Sequence, residues 1–257
     1  MLVNFLFLSF KAYDVTPNAN QIDDLLAWRD EEGVDFWRAG AAGRLSKVMI
    51  PPYLQDSFEE FLNINEIDYA IAVEDVGEIE KEFEVDRVRR LSRKKSAIDP
   101  SAAPNFEVYW TSKEIDLYCA RLASNYPQLV TRESIATSFD GQDVFALKIS
   151  SGGFGRKPII FMDGGMHARE WVSQASVMYL LYRMIEDPAT SAELLADVDW
   201  IIIPNLNPDG YTWSYTQDRM WRKNRNQMNS TCLGVDLNRN FRYSWTPPRV
   251  LTVSKMT

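Results

Sequence analysis

Residues 163–171 read DGGMHAREW and hold His167, the single histidine of the chain, three positions ahead of Glu170. Imidazole and carboxylate are both metal-ligand groups. The strand-like run KPIIFMD precedes them, and WVSQASVMYLLYRMI, patterned as a long, largely buried helix, follows. The pair is therefore expected where a strand gives way to a helix. Gly164 and Gly165 would let the backbone turn sharply and approach a ligand closely, and residues three apart at a helix start are neighbours. A lone HxxE equally suits a structural histidine, so its companions matter. Residues 218–241, DRMWRKNRNQMNSTCLGVDLNRNF, carry Arg219, Arg222, Arg225 and Arg239 with little helical period. Guanidinium groups gathered in an irregular segment suit anion recognition or a solvated basic loop.

The elements that must position these residues follow from periodicity. TSKEIDLYCARLASNYP predicts an amphipathic helix opened by a Thr111/Glu114 capping box. LVTRESIATSFDGQDVFALKIS predicts two strands around an Asp140-Gly141 turn. With KPIIFMD, the helix and the apolar strand DVDWIIIPN, these alternate as βαβ units do, so a mixed α/β sheet is expected. Ahead of them, residues 5–72 read strand, helix, strand, strand, helix, strand, the split βαβ or ferredoxin-like order. A charged helix from Glu74 runs into RVRRLSRKK, where six of nine residues are basic, and then into the small-residue and proline-rich SAIDPSAAPNF. This predicts a domain to residue 86, a linker over 87–105 and a second domain over 106–245. The basic run reads as a nucleic-acid patch, a solvated helix face or, from its place between two compact segments, a protease-sensitive site.

Composition is that of a globular protein, 46% hydrophobic and 25% charged. Up to Lys95 there are 19 acidic and 12 basic residues, and from Ser96 onward 17 and 16, so the acidity lies in the front segment. A net charge of −8 argues against general nucleic-acid binding, which depends on neutralising phosphates. Cys119 and Cys232 could form one bridge at most. No window is long and apolar enough to span a membrane. The opening MLVNFLFLSF reads as part of a signal peptide's apolar core or as a first buried strand.

Taken together and in order, HAREW, PNLNPDGY, MWRKNR and GVDLNRNF resemble the zinc carboxypeptidase A/B family, and the front segment resembles its activation peptide. The resemblance covers roughly residues 11–245. It implies a ferredoxin-like activation domain, then the first part of a mixed-sheet α/β catalytic domain, in a secreted zymogen opened by a trypsin-like protease at the basic linker. Carboxypeptidase A is the standard example of zinc held by two histidines and a glutamate, and the resemblance assigns the first two ligands to His167 and Glu170. It makes Asp236 the carboxylate that orients the ligand histidine. Asn238 and Arg239 would grip a substrate's free C-terminal carboxylate, and Arg222 would stabilise the developing oxyanion. Arg169 and Arg219 would contact the peptide further out, and Arg225 has no assigned role. The implied reaction is metal-assisted hydrolysis of the C-terminal bond of peptides and proteins.

Beyond Trp245 the tail TPPRVLTVSKMT has no counterpart in the resemblance. In the family the third zinc ligand is a further histidine, and this chain has no second one, so the site cannot close within one copy. The substrate-binding tyrosine, the side-chain pocket, the catalytic glutamate and the partner of Cys232 also lie past the match, as do strands whose lack would leave a sheet edge exposed. The expectation is an incomplete, inactive metallocarboxypeptidase precursor. The alternatives are a short isoform that binds peptide C-termini and a protein whose front domain inhibits a full-length relative. Asn229-Ser230-Thr231 is a glycosylation sequon if the chain is secreted.

Overall fold

The computed structural model describes residues 9–93, 104–227 and 233–242. The opening eight residues, residues 94–103, the sequon, Cys232 and the tail lie outside the described residues. The chain divides into two compact units, the first through Asp86 and the second over Arg87–Tyr243.

In the first unit β1 (Lys11–Thr16), α1 (Ile22–Ala27), β2 (Asp35–Arg38), β3 (Ser46–Ile50), α2 (Gln55–Ile64) and β4 (Asp68–Val73) follow the expected order. The sheet runs β2-β3-β1-β4 with every neighbour antiparallel, the ferredoxin-like arrangement. Strand side chains alternate between faces, so Tyr13 and Val15 of β1 and Val48 and Ile50 of β3 share one side. There they meet Leu25 of α1 and Phe58 and Leu62 of α2, all fully buried in one core. Phe58 meets Tyr13 and Trp28 edge-on, with centroids 5.3 and 5.0 Å away. The first helix is shorter than its sequence pattern, ending at Ala27 and tightening into a 3-10 turn over Trp28–Asp30.

The helix α3 (Val76–Arg93) continues through most of the basic run that reads as the start of a linker. Arginine is a strong helix former, and nothing between Arg87 and Arg93 breaks a helix.

The second unit contains α4 (Ser112–Asn125), β5 (Val130–Thr137), β6 (Asp143–Ile149), β7 (Ile159–Asp163), α5 (Trp171–Glu186), α6 (Pro188–Leu194), β8 (Asp199–Ile203) and α7 (Pro208–Thr216). The capping box forms as expected: Glu114 N–H donates to Thr111 Oγ1 at 3.2 Å and Thr111 N–H to Glu114 Oε2 at 2.8 Å. The sheet order is β5-β6-β8-β7, with β7 and β8 parallel and the other pairs antiparallel, so the sheet is mixed. Among the described residues β7 is an edge strand, and Ile159, Ile160 and Phe161 are exposed. The helix α5 is amphipathic rather than largely buried. Trp171, Gln174, Val177, Met178, Leu181, Met184 and Ile185 are buried, whereas Val172 and Tyr179 face solvent. Cys119 is fully buried on α4, and burial pushes its thiol pKa far up, so the thiolate does not form at neutral pH.

Candidate metal and substrate centre

The loop bearing His167 begins where β7 ends. Gly164 N–H donates to Ile203 O at 2.9 Å, carrying the parallel pairing one residue past the strand. A side chain at 164 would come within 2.9 Å of Val177 Cγ2, and Gly165 has φ of +72° with the Gln174 amide where its side chain would sit. The first glycine is thus a matter of close packing, and the second of both packing and backbone conformation. His167 and Glu170 are not on the helix itself. They occupy a turn closed by Glu170 N–H to His167 O at 3.2 Å, and α5 starts one residue later.

Two polar side chains, Asn207 and Ser214, bind this turn to the other segments, and a third, Asp209, braces the helix α7 that carries Ser214. Asn207 Nδ2 donates to Met166 O and to Lys223 O, each at 3.1 Å, while its Oδ1 accepts Gly210 N–H and caps α7. Ser214 donates to Ala168 O and accepts from Trp171 Nε1, both at 2.9 Å. Asp209 accepts from Ser138 Oγ, Asp140 N–H and Gln142 Nε2, tying the β5-β6 turn to α7. Ala168 N–H donates to Arg222 O at 3.0 Å, so backbone also joins the two motif segments.

At the centre, His167 lies between two carboxylates. Its Nε2 is 3.1 Å from Asp236 Oδ1, and its Nδ1 is 3.1 Å from Glu170 Oε1. Arg222 spans the same two acids, donating from Nη1 to Glu170 Oε1 at 2.8 Å and from Nε to Asp236 Oδ2 at 3.2 Å. Asp236 Oδ1 also accepts Asn238 N–H at 2.9 Å, which caps the 3-10 turn Leu237–Arg239. Exposure rises across the cluster, with the side chains of His167 at 10%, Asp236 at 16% and Glu170 at 49%. The buried carboxylate orients the ring, and the open one faces outward.

The titration behaviour follows from these contacts. Burial alone would raise the Asp236 carboxyl, but the His167 hydrogen bond and the Arg222 charge outweigh it and hold the group well below the usual range. The His167 hydrogen bond is the largest influence on Glu170, which is also lowered. Burial would depress His167, yet its bonds to Asp236 and Glu170 prevail and raise it above an ordinary histidine.

This donor set suits a cation. Once Nε2 donates its proton to Asp236, Nδ1 presents a lone pair to the Glu170 carboxylate, and two donors at that distance need a proton or a metal between them. An imidazole nitrogen and a carboxylate are both groups that can ligate a metal. Among the described residues no three His, Cys, Asp or Glu side chains are placed so that all three could hold a metal ion.

The arginines do not converge as one anion site. Arg222 reaches the His167 cluster. Arg219 donates from Nη1 to Arg169 O at 2.9 Å and lies 3.9 Å over the Trp171 ring, and Arg169 donates to Met220 O at 3.3 Å. Arg225 stacks on Trp213 and Trp221, 3.6 and 4.5 Å from their centroids, so it is a packing residue. Asn238 and Arg239 are exposed on the short turn, with Arg239 Nη1 donating to Asn238 O at 3.1 Å.

Residues 115–255 match the sequence profile of the zinc carboxypeptidase family, over half of the chain. The chain belongs to the zinc carboxypeptidase family. Residues 13–82 match the carboxypeptidase activation peptide. Carboxypeptidase B of Helicoverpa zea is 34% identical over 220 residues, covering 82% of this chain and 50% of that protein. Carboxypeptidase A2 of Rattus norvegicus is 34% identical over 243 residues, covering 91% and 57%. The crystal structure of carboxypeptidase A from Helicoverpa armigera superposes with a TM-score of 0.85 at 32% identity, over 94% of this chain and 60% of that one. The chain therefore spans about half to three-fifths of the length of these relatives.

Proposed function

We propose that the chain is the activation domain and the metal-proximal part of a zinc-dependent metallocarboxypeptidase zymogen that removes C-terminal residues from peptides and proteins. The observation that carries this reading is His167 held between Asp236 and Glu170, with Arg222 bonded to both acids. His167 Nδ1 and Glu170 would hold the zinc, and Asp236 would keep the ring oriented through Nε2. Zinc, when bound, supplies a Lewis acid for the scissile carbonyl and acidifies a water. Arg222 would donate to the oxygen on which charge develops, a contact worth about a hundred- to a thousand-fold in rate in comparable sites. Asn238 and Arg239, open to solvent, would receive the substrate's C-terminal carboxylate, and Arg169 and Arg219 would line the outer subsites. The activation peptide over residues 13–82 implies release by proteolysis, and a trypsin-like enzyme acting within 87–105 fits the basic residues there. Secretion accords with that mode of activation. No helix among the described residues is long and apolar enough to cross a membrane.

A second reading rests on the single histidine. With two ligands, the 257 residues would recognise peptide C-termini, or through the front unit inhibit a full-length relative, without turnover. One sample separates the two readings. The chain is cut with trypsin, its zinc content is measured, and release of C-terminal residues from blocked dipeptides is followed. Stoichiometric zinc with turnover supports the enzyme. Peptide binding without zinc or turnover supports the second reading.

A further inference from the structure

Gln174 is 1% exposed and stands on an α5 stripe otherwise made of Trp, Val, Met, Leu and Ile. Neither its Oε1 nor its Nε2 has a hydrogen-bond partner among the described residues, and neither has Oδ1 of Asn205, which is also buried. A buried polar atom without a partner is costly, and native proteins seldom keep one. Three such atoms gathered at one place point to a role other than stability.

The place is Gly165, two residues before His167. A side chain there would lie 2.7 Å from Gln174 Cδ and 3.0 Å from Asn205 Oδ1, and closer still to Gln174 Nε2. The two carboxamides thus converge on one backbone position, the first from α5 and the second from the segment that follows β8. Asn205 Nδ2 donates to Ser112 Oγ at 3.3 Å, which leaves the oxygen of that amide facing the glycine. A donor, Gln174 Nε2, and an acceptor, Asn205 Oδ1, therefore face the same point.

The polar backbone groups nearby are already held. Gly165 N–H donates to Ser173 Oγ at 3.0 Å, Leu206 N–H to Gly164 O at 2.8 Å and Asn207 Nδ2 to Met166 O at 3.1 Å. The α-carbon of Gly165 rests on the two amides instead. Glycine takes positive and negative φ about equally readily, so its own preference does not keep Gly165 at +72°. A swing there would redirect the chain as it enters His167, and the amides stand in its way.

We propose that Gln174 and Asn205 are positioning residues for His167: their buried amides close on Gly165 and keep the turn that holds the imidazole against Asp236. The consequence for zinc rests on the reading of His167 as a ligand, whereas the position of the ring does not.

The test uses the full chain with isotope-labelled histidine. His167 is the single histidine, so its ring gives one set of NMR signals. In the metal-free protein the ring Nε2–H, bonded to Asp236, should appear as a slowly exchanging signal. Gln174→Met keeps the side chain's length and removes its hydrogen-bonding groups, and Asn205→Ala removes the facing oxygen. Either variant should lose the ring N–H signal. The thermal midpoint of Gln174→Met should not fall, since the amide it removes has no partner to lose. Zinc affinity, read by chelator competition, should drop about tenfold in both variants. A parent without the ring signal overturns the proposal, as do variants that keep it. A signal lost only together with a lowered midpoint in Gln174→Met also overturns it, because that makes the residue's role one of packing. Should Gln174→Met not fold, Asn205→Ala decides alone, through loss or retention of the signal. A parent that binds no zinc, with the signal lost in the variants as expected, would sink the carboxypeptidase reading and leave this one standing.

Discussion

In the first unit, Tyr13, Leu25, Phe58 and Leu62 are placed by regular strands and helices and meet in one apolar core. In the second, the segments that carry the candidate site lie outside the main helices and strands. Residues 164–170, 205–207, 219–227 and 233–239 are held instead by the hydrogen bonds of Asn207, Ser214 and Asp236 among others. Apolar burial is non-directional, so it sets which elements pack without fixing an atom to within a few tenths of an ångström. Hydrogen bonds are directional and do fix atoms, which is what an oriented imidazole requires. The regular unit can tolerate exchange of one apolar residue for another of like volume. The irregular segments cannot exchange their polar anchors.

That contrast can be broken at specific residues. The largest effect is expected in the first core. Phe58→Ala removes a fully buried ring and should cost about 3–5 kcal/mol, seen as an earlier transition in chemical denaturation. A loss below 1 kcal/mol would mean that the core closes around the gap. Next, Asp236→Ala removes the carboxylate that orients His167 and should weaken zinc binding about 10- to 100-fold. Competition with a chromophoric chelator measures it, and unchanged affinity would show that the ring is oriented by other means. Smaller again, Asn207→Ala loses a helix cap and two bonds to backbone carbonyls and should destabilise by about 1–2 kcal/mol. Because those carbonyls belong to the His167 loop and the Arg222 segment, zinc affinity should fall with it. A variant that loses stability alone would separate packing from positioning.

The smallest effect concerns pH. Asp187 is held below the usual carboxylate range, foremost by the Thr190 hydroxyl and also by Arg183. A carboxyl lowered on folding contributes stability above its unfolded pKa, near ~3.9, and that contribution disappears as the pH falls through the folded value. Asp187→Asn should therefore lower stability slightly at pH 7 and by less at pH 2, as read from thermal midpoints at both values. An equal shift at both would assign the effect to the cap of α6 rather than to charge.

Much of the fold was legible along the chain. β3 and β4 fall on SKVMI and DYAIAV to the residue: β4 alternates between exposed and partly buried positions, whereas β3 is a short apolar run with four of its five residues buried. The Thr111/Glu114 box and the Asp140-Gly141 turn were readable because both are local, set by residues within four positions of each other. The passage of α3 through Arg93 was not, since its basic residues suited both a helix and an exposed linker. The short helix α6 was missed, though Asp187 ahead of Pro188 is a cap signal. Asn207 ahead of Pro208 is another, and the helix α7 that it opens was missed too; no local signal reveals that the same side chain binds Met166 and Lys223.

By itself, then, the sequence determined which residue types could act and in what order they stand: His167 and Glu170 beside a glycine turn, Arg222 in MWRK, Asp236 in GVDLN. It also determined the family, whose motifs are patterns of identity along one dimension. Tertiary structure alone decided which arginine meets the histidine. Arg222 spans Glu170 and Asp236 while Arg225, three residues on, stacks on Trp213 and Trp221. In an irregular segment no period dictates where a side chain points. Its direction is settled only when partners from distant parts of the chain arrive, 52 residues away for Glu170 and 14 for Asp236.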